Sequence, residues 1–241
     1  SVYNRTGAVT SEFIHSHGQG RAVAVADDLA GLVSQLGSPR VILMMVTAGR
    51  AVEGVIEQLL PLLEAGDILI DGGNSNYQDT DRRWRALAAK GIHFVGMGVS
   101  GGEEGARFGP SLMPGGAAAA WPAIRDMFQA IAAKVDGVPC CQWLGEGGAG
   151  HYVKMIHNGI EYGDMQLIAE VCHLMQHALG LGHDAMADCF EAWNGGRLES
   201  YLVEITARIL RQRDHDGSPL VDSILDQEEK KGTGVWTAQD A

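Results

Sequence analysis

The sequence has few of the features that mark a membrane protein, a nucleic-acid-binding protein or a disulfide-rich fold. It has only 4 cysteines in 241 residues, and none forms the C-x-x-C spacing of a zinc ribbon or a thioredoxin motif. Its longest apolar runs, such as residues 41–46, are too short to span a bilayer. Lys and Arg number 18 against 30 Asp and Glu, which gives a formal net charge of −12. We therefore predict no nucleic-acid or membrane partner, because the acidic charge disfavours binding to nucleic acids and acidic membranes and the apolar runs are too short for a span.

Metal-binding patterns are also scarce. His173 and His177 have the i, i+4 spacing that a metal can use on a helix, but no H-E-x-x-H motif or nearby third ligand accompanies them. We predict no metal site. The unpaired cysteines favour a reducing compartment, so we expect a cytoplasmic protein.

Short apolar runs alternate with helical patterns over the first part of the chain. This alternation is typical of βαβ units and a mainly parallel sheet. Strands are predicted at residues 41–46, 67–71, 93–99 and 141–144, and helices at 51–64, 80–90 and 118–135. Polar, glycine-rich segments follow the first three strands, where ligands of such sheets bind.

From the glycine-rich residues 147–150 onward, helical periods follow one another without a strand. Helices are predicted from about 151 to 179 and at 183–193, 199–211 and 220–229. The predicted fold is an α/β Rossmann-like dinucleotide-binding domain (residues 1–147) followed by an all-α domain (residues 148–241). Domain junctions are preferred places for small-molecule sites.

The N-terminal residues indicate the type of nucleotide. Asn4, Arg5 and Thr6 follow the end of a predicted strand, where a dinucleotide fold reads the adenosine ribose. An acidic residue there would suit NAD, whereas a cation flanked by hydrogen-bond donors suits the 2′-phosphate of NADP. The G-x-G-x-x-G turn that holds the pyrophosphate is missing, so we expect it to lie upstream of Ser1 in a longer protein.

Residues 151–170 contain several side chains capable of acid–base chemistry or hydrogen bonding within a short stretch. Apolar spacing predicts a helix, on which Lys154, Asn158 and Glu161 share one face and His157 lies at its edge. A solvated face with a Lys–Glu ion pair is the simpler interpretation of the stretch alone. As a catalytic face, it would place an acid and a base about 10 Å apart along the helix axis.

Two loops leave alternatives open. Gly98-Val-Ser100-Gly-Gly102 matches the G-x-S-x-G nucleophile elbow of serine hydrolases, but the residues that follow favour a loop instead of the required helix. The loop could also bind a carboxylate or phosphate through Ser100 and its amides, or be a plain turn. Lys231 and Thr233 lie in a basic, glycine-containing turn that could hold a phosphate.

Together, these segments resemble sequences of the 6-phosphogluconate dehydrogenase family, the NADP-dependent decarboxylating enzymes of the pentose phosphate pathway and gluconate utilization. The resemblance spans essentially the whole chain and is carried by residues 71–75, 98–106, 109–116, 154–170 and 231–234. It implies a homodimer in the full-length protein. Beside that family the chain looks shortened at both ends, so we expect weak or no activity from it alone.

The resemblance implies oxidative decarboxylation of 6-phosphogluconate to ribulose 5-phosphate and CO₂, with Lys154 as general base and Glu161 as general acid. Because no metal cluster is evident, the lysine ammonium would stabilise the enediolate and the reaction would be metal-independent. The residues implied to contact the substrate are Asn74, Ser100, Gly101, Gly102, His157, Asn158, Tyr162, Lys231 and Thr233. Those implied to line the cofactor NADP are Asn4, Arg5, Thr6, Val46, Thr47, Ala48 and Asn74.

Two positions depart from the family pattern. The family usually has a lysine where this chain has Thr47, and another where it has Val235. Losing these cations could weaken anion binding without removing the chemistry. The alternatives are a related 3-hydroxy acid dehydrogenase with another substrate and a non-catalytic module that has kept the fold.

Overall fold

The computed structural model describes residues 1–225 and 232–240. The chain divides into two compact units, Ser1–Ile156 and His157–Asp240. The first unit contains a mainly parallel sheet with helices and the second is helical, which confirms the predicted fold class. The units divide inside a long helix, whereas the predicted boundary between residues 147 and 148 falls just before that helix begins. In the part of the chain that the structure describes, no helix is both long and apolar enough to cross a membrane.

The main sheet of the first unit has the strand order β1-β2-β3-β4. The first three strands are parallel, with Val41 opposite Ile68, and the fourth is antiparallel, with Ser100 opposite Ser111. The parallel part matches the predicted strands closely. The four strands are β1 (Val41–Met44), β2 (Ile68–Asp71), β3 (His93–Ser100) and β4 (Ser111–Gly116).

Helices cover both faces of this sheet. Along β2, Ile68 and Ile70 join one buried cluster, whereas Leu69 between them joins the other, as the two-residue period of a strand requires. Burial on both faces explains why the strands are continuous apolar runs. The helices of this unit are α1 (Gly7–Phe13), α2 (Leu29–Ser34), α3 (Arg50–Leu59), α4 (Tyr77–Ala88), α5 (Gly102–Phe108) and α6 (Trp121–Ile131).

Local sequence explains where α3 and α4 begin and end. Val52, Ile56 and Leu59 are buried at i, i+4 and i+7 along α3, which then tightens into a 3₁₀ turn at Pro61 instead of continuing to residue 64. Asn76 caps α4 by accepting a hydrogen bond from the backbone N–H of the second helical residue, at 2.8 Å. The α4 start lies three residues before the predicted one.

Several predictions about the first unit are wrong. Residues 141–144 form no strand, only an isolated bridge between Leu112 and Cys141. The helix predicted at 118–135 is α6 alone, preceded by a 3₁₀ turn and followed by a hairpin of two short strands, β5 (Lys134–Val135) and β6 (Val138–Pro139). Asp136 and Gly137 both have positive φ in that hairpin turn. Strand β4 escaped prediction because its Pro and Gly residues are typical of turns, yet pairing with β3 overrides that preference.

The N-terminal strand is shorter than expected. Val2 makes only an isolated parallel bridge to Val25, and a loop then leads into α1. A π-helical turn (Ile14–Gly18) ends that segment.

The second unit consists of helices around their own core. Arg211 joins two of these helices, because it contacts Glu191 at 2.7 Å and Asp188 at 2.6 Å. The helix predicted at 220–229 begins as a 3₁₀ turn (Leu220–Ser223), and residues 226–229 lie outside the described residues. The helices are α7 (Ala149–His177, shared with the first unit), α8 (His183–Asn194), α9 (Tyr201–Arg211) and α10 (Thr233–Asp240).

Candidate active site

The start of α7 is pressed onto the backbone of the sheet. A Cβ atom on Gly150 would lie 2.2 Å from the carbonyl oxygen of Gly96 and 2.3 Å from that of Met113. Only glycine allows such an approach. The first turns of α7 therefore lie directly against β3 and β4, and the sheet sets the position of every side chain that these turns carry.

Lys154 lies four residues beyond Gly150 on α7 and is only 6 % exposed. Its side chain covers Gly98 near the end of β3, since a Cβ atom at position 98 would lie 2.4 Å from the Lys154 Cβ. The glycine thus makes room for the stem of the lysine. The predicted general base is a buried lysine whose stem lies against Gly98, near the carboxyl end of a parallel strand, where ligands of such sheets bind.

The segment after β2 is organised by the buried carboxylate of Asp71. Its Oδ1 accepts a hydrogen bond from the backbone N–H of Gly73 at 3.0 Å, and its Oδ2 accepts one from the Ser75 hydroxyl at 2.6 Å. Asp71 is 0 % exposed. The carboxylate therefore holds both sides of Asn74, the residue predicted to contact substrate and cofactor, while Asn74 itself is only half-buried.

Arg83, a buried residue of α4, ties this segment to the one after β1. Its Nη1 lies 3.6 Å from Asp71 Oδ2, its Nε donates to Glu53 at 3.0 Å, and its Nη2 donates to the Gly49 carbonyl at 3.4 Å. A Cβ on Gly73 would come within 2.9 Å of the Val46 carbonyl oxygen. The structure thus brings together the loops that carry Val46, Thr47 and Ala48 on one side and Asn74 on the other.

The segment after β3 corrects one sequence-based prediction. Helix α5 begins at Gly102, immediately after Ser100 and Gly101, where a loop was expected. The turn depends on glycine, because Gly101 and Gly102 have φ values of 131° and 60°. Ser100 is half-buried, whereas the two glycines are exposed. A strand–turn–helix arrangement is also what a serine nucleophile elbow requires, so the local backbone alone does not decide against that alternative.

The predicted ribose-phosphate residues lie at the start of the chain. Asn4 Oδ1 accepts a hydrogen bond from the Thr6 backbone N–H at 2.9 Å, which forms the turn that leads into α1. All three residues 4–6 are exposed. Within the described residues, no hydrogen bond or ion pair joins them to the loop at 46–48.

In the second unit, two predicted substrate ligands are bonded to each other. The Asn158 amide donates to the Thr233 hydroxyl at 3.2 Å, and both side chains are buried. His157 Nδ1 lies 3.1 Å from Asn158 Oδ1 and 3.7 Å from Glu161 Oε2. His157 and Glu161 are about one third exposed, at 35 % and 39 % of their side-chain surface.

Helix α10 packs against this part of α7. A Cβ on Gly159 would lie 2.4 Å from Thr237 Cγ2, so the glycine serves a helix–helix contact. Tyr162, 38 % exposed, lies beside Gly234 at the start of α10. Val235, at one of the two departures from the family pattern, is 54 % exposed. Lys231 lies outside the described residues.

His151 is the residue that sequence reasoning missed. It is 1 % exposed, and its Nδ1 lies 2.6 Å from the hydroxyl of Thr80. Burial lowers the pKa of its imidazole and outweighs the Asp71 carboxylate, which raises that pKa; the Arg83 guanidinium adds to the lowering. The residue is therefore neutral near pH 7. A polar residue in the first turn of a helix gave no sequence signal that it would be buried.

The described residues contain no cluster of metal-ligating side chains. Across residues 1–225 and 232–240, no group of three or more His, Cys, Asp or Glu side chains is arranged to hold a metal ion. The rings of His173 and His177 lie 4.3 Å apart, and the described residues offer no third ligand beside them. A metal-independent reaction stays a prediction.

These features define a class of protein in which a Rossmann-like nucleotide-binding unit carries a helix whose first turns lie on the sheet. The model for the NAD binding domain of 6-phosphogluconate dehydrogenase matches residues 1–145, and the model for the C-terminal domain of the same enzyme matches residues 150–241. The chain belongs to the 6-phosphogluconate dehydrogenase family.

Individual relatives agree with this assignment. The decarboxylating 6-phosphogluconate dehydrogenase of Treponema pallidum is 60 % identical over 98 % of this chain and 49 % of its own length. The mouse enzyme of the same name is 58 % identical over the same shares. The chain spans about half the length of these relatives. A Plasmodium falciparum 6-phosphogluconate dehydrogenase, solved in apo form and with its cofactor NADP⁺ and its substrate 6-phosphogluconate, matches 99 % of this chain and 51 % of its own with 42 % identity and a TM-score of 0.94.

Proposed function

We propose that this chain supplies the cofactor-binding unit and the acid–base pair of an enzyme that converts 6-phosphogluconate and NADP⁺ to ribulose 5-phosphate, CO₂ and NADPH. The observation that carries the proposal is Lys154, a lysine only 6 % exposed that lies against Gly98 at the carboxyl end of β3. The stem of this lysine lies near the edge of the sheet where α/β proteins bind ligands. The family's relatives, named for this reaction, support the substrate assignment.

The residues near the carboxyl ends of β1 and β2 fit a dinucleotide. Gly73 lets the segment after β2 lie close to the Val46 carbonyl, which brings Asn74 near residues 46–48. Arg5 is exposed and takes part in no ion pair within the described residues, so its guanidinium can meet a 2′-phosphate. When bound, NADP⁺ would accept the hydride from the substrate. We assign Asn4, Arg5, Thr6, Val46, Thr47, Ala48 and Asn74 to its site.

Lys154 has two roles in the proposed mechanism. As a neutral amine, it takes the proton from the substrate hydroxyl while the carbon that bears it is oxidised to a ketone. The resulting β-keto acid loses CO₂, and the electrons of the broken C–C bond form an enediolate. The Lys154 ammonium then stabilises that negative charge.

Glu161 completes the reaction by donating a proton to the enediolate carbon, which gives the keto sugar. Its side chain is partly open to solvent and lies beside His157, so it can be reprotonated after each turnover. We assign substrate contacts to Asn74, Ser100, Gly101, Gly102, His157, Asn158, Tyr162, Lys231 and Thr233. The hydrogen bond from Asn158 to Thr233 supports a shared role for these two.

The test is a kinetic assay on a protein of the relatives' full length that contains this chain. We expect NADPH absorbance to rise only when 6-phosphogluconate is present, with one CO₂ released from carboxyl-labelled substrate for each NADPH formed. Activity should survive a chelator. A 3-hydroxy acid without phosphate that replaces 6-phosphogluconate would favour the alternative dehydrogenase, and full inhibition by the chelator would contradict the metal-free mechanism.

We further propose that this full-length protein is a cytoplasmic homodimer. Sedimentation velocity at micromolar concentration should give the mass of two chains. A monomer with full activity would contradict this part of the proposal without affecting the chemistry.

A further inference from the structure

One polar atom of the first unit has no function in the mechanism above. The Nε2 of His151 is buried and has no hydrogen-bond partner within the described residues. Buried polar side chains almost always have partners, so an exception needs an explanation. His151 lies three residues before Lys154 on α7, next to the chemistry proposed for this family.

The imidazole ring is fixed in its orientation. Its Nδ1 lies 2.6 Å from the hydroxyl of Thr80, and that hydroxyl also contacts the Asn76 carbonyl at 3.1 Å. The ring lies over Gly96, where a Cβ atom would come within 2.9 Å of Nδ1 and 2.4 Å of Thr80 Cγ2. With one nitrogen fixed and one face packed, the ring cannot turn, so the direction of Nε2 is set by the fold.

The loop at residues 72–75 is the neighbour that can use this atom. The loop begins beside the ring, because Asp71 is paired with Gly96 across β2 and β3 and the ring covers Gly96. The backbone of Asp71 and Gly73 also raises the pKa of the imidazole, although burial lowers that pKa more. Asp71 already holds Gly73 and Ser75, which flank Asn74. A small shift of this loop would therefore bring a backbone group to Nε2 and move Asn74 with it.

We propose that His151 is a positioning residue whose Nε2 forms a hydrogen bond with the backbone of the 72–75 loop when that loop binds its ligand. The bond fixes Asn74 relative to the turn of α7 that carries Lys154. The inference rests on the proposed function, since it takes the ligand to be NADP⁺ or 6-phosphogluconate. The competing interpretation is a histidine that only fills the core.

Two substitutions of His151 distinguish the role of Nε2 from that of Nδ1. In His151→Gln the terminal amide reaches the place of Nε2, whereas in His151→Asn the shorter amide reaches only the place of Nδ1 and keeps the contact with Thr80. Both remove the ring, so both should lower the melting temperature to a similar extent. Ile124→Val, a change in the buried cluster on the other side of the sheet, serves as the control for a destabilised core with an intact loop.

The measurements are steady-state kinetics and amide hydrogen exchange of residues 73–75 in the full-length protein, with and without NADP⁺ and 6-phosphogluconate. We expect His151→Asn to lose about 10- to 100-fold in kcat/KM, the size of effect that misplaced binding groups produce. Its loop should gain no exchange protection from the ligands. His151→Gln should recover most of both, and Ile124→Val should resemble the unmodified protein.

Two results would overturn the proposal. Either His151→Asn keeps normal kinetics and loop protection, or His151→Gln and His151→Asn lose them equally. If neither variant folds, Thr80→Val retains the imidazole but frees the ring, and unchanged loop protection in that variant would also overturn it.

Failure of the proposed function gives a different result. In that case the unmodified protein shows no 6-phosphogluconate-dependent NADPH formation at all, so the function is rejected before any variant is compared. Loop protection by NADP⁺ alone would still test the link between His151 and residues 73–75.

Discussion

The two predicted acid–base residues lie on one helix but in different surroundings. Lys154 belongs to the part of α7 that lies on the sheet, is 6 % exposed, and covers a glycine of β3. Glu161 is seven residues farther along, with 39 % of its side chain exposed, and its recorded contact is with His157 at 3.7 Å. The backbone of the sheet holds the position of the base, whereas the contact described for the acid is with another side chain, that of His157.

This difference suggests a division of labour within the proposed reaction. A base that must accept a proton and then stabilise an enediolate benefits from a fixed, water-poor position. An acid that must be recharged with a proton in each cycle benefits from access to solvent. Changes around Lys154 should therefore lower kcat more than comparable changes around Glu161.

The largest effect is expected for Lys154→Ala. Removing the base and the cation together should lower kcat by about 10³-fold or more, the upper range for a general acid–base group. The far-ultraviolet circular dichroism spectrum should stay unchanged. Lys90→Ala, at an exposed lysine after α4, is the matched control. Normal turnover by Lys154→Ala would remove this residue as the base.

Gly98→Ala should disturb the same lysine without changing its chemistry. The new methyl group would lie 2.4 Å from the Lys154 Cβ, so the side chain or the strand must move. We expect kcat to fall about 10²-fold and the free energy of unfolding to fall by roughly 1–3 kcal/mol, as overpacking does.

The control for Gly98→Ala is the same substitution at a glycine with free space around it, which should not harm activity or stability. Gly54 of α3 has no atom within 4 Å of an added Cβ, so Gly54→Ala should leave kcat unchanged and raise the free energy of unfolding by about 0.5–1 kcal/mol. Chemical denaturation and steady-state kinetics measure both. If Gly98→Ala and Gly54→Ala have the same kcat, the contact between Gly98 and Lys154 does not contribute to turnover.

Glu161→Gln should have a smaller effect than either change near the base. The amide cannot donate the proton, but water can reach the partly exposed position, so we expect kcat to fall about 10- to 100-fold. Stability should be unaffected, and Glu170→Gln, at an exposed glutamate of the same helix, is the control. A loss greater than that of Lys154→Ala would reverse the proposed division of labour.

The smallest expected effect is on how the free energy of unfolding depends on pH. Burial lowers the pKa of His151 below its ordinary 6.5, with Asp71 opposing and Arg83 assisting that shift. The unfolded chain therefore takes up a proton before the folded one does, and stability is full above pH 6.5 and decreases as the pH falls below it. The slope for one proton is at most about 1.4 kcal/mol per pH unit. Denaturation of the protein and of His151→Gln between pH 7.5 and 5 should differ by this slope, and identical curves would contradict it.

Part of the fold could be predicted because its signals are local. The apolar runs of β1, β2 and β3 and the long periodic stretch of α7 appear within a few residues of their observed bounds. Strand β4 and helix α5 could not be predicted in the same way. The Pro and Gly residues of β4 are typical of turns, and pairing with β3 is what makes this segment a strand. The glycines at the start of α5 are also typical of turns, and the positive φ of Gly101 allows the sharp turn from β3 into the helix.

The candidate residues show the same limit. Lys154, Asn74 and Glu161 could be singled out because their residue types and spacing match a family pattern. The buried group of Asp71, Arg83, Thr80 and His151 could not, because its members come from β2, α4 and α7 and have no common spacing in the sequence.

The sequence by itself determined the class of fold, the family, and which residues carry ionisable groups on one face of α7, because periodicity and motifs are properties of neighbouring residues. Only the tertiary structure decided which of those groups is buried. Lys154 is buried because Gly98 and Gly150 let α7 approach the sheet, whereas Glu161, seven residues farther along the helix, keeps 39 % of its side chain exposed. Burial depends on what other elements place around a side chain, and that information lies far away in the sequence.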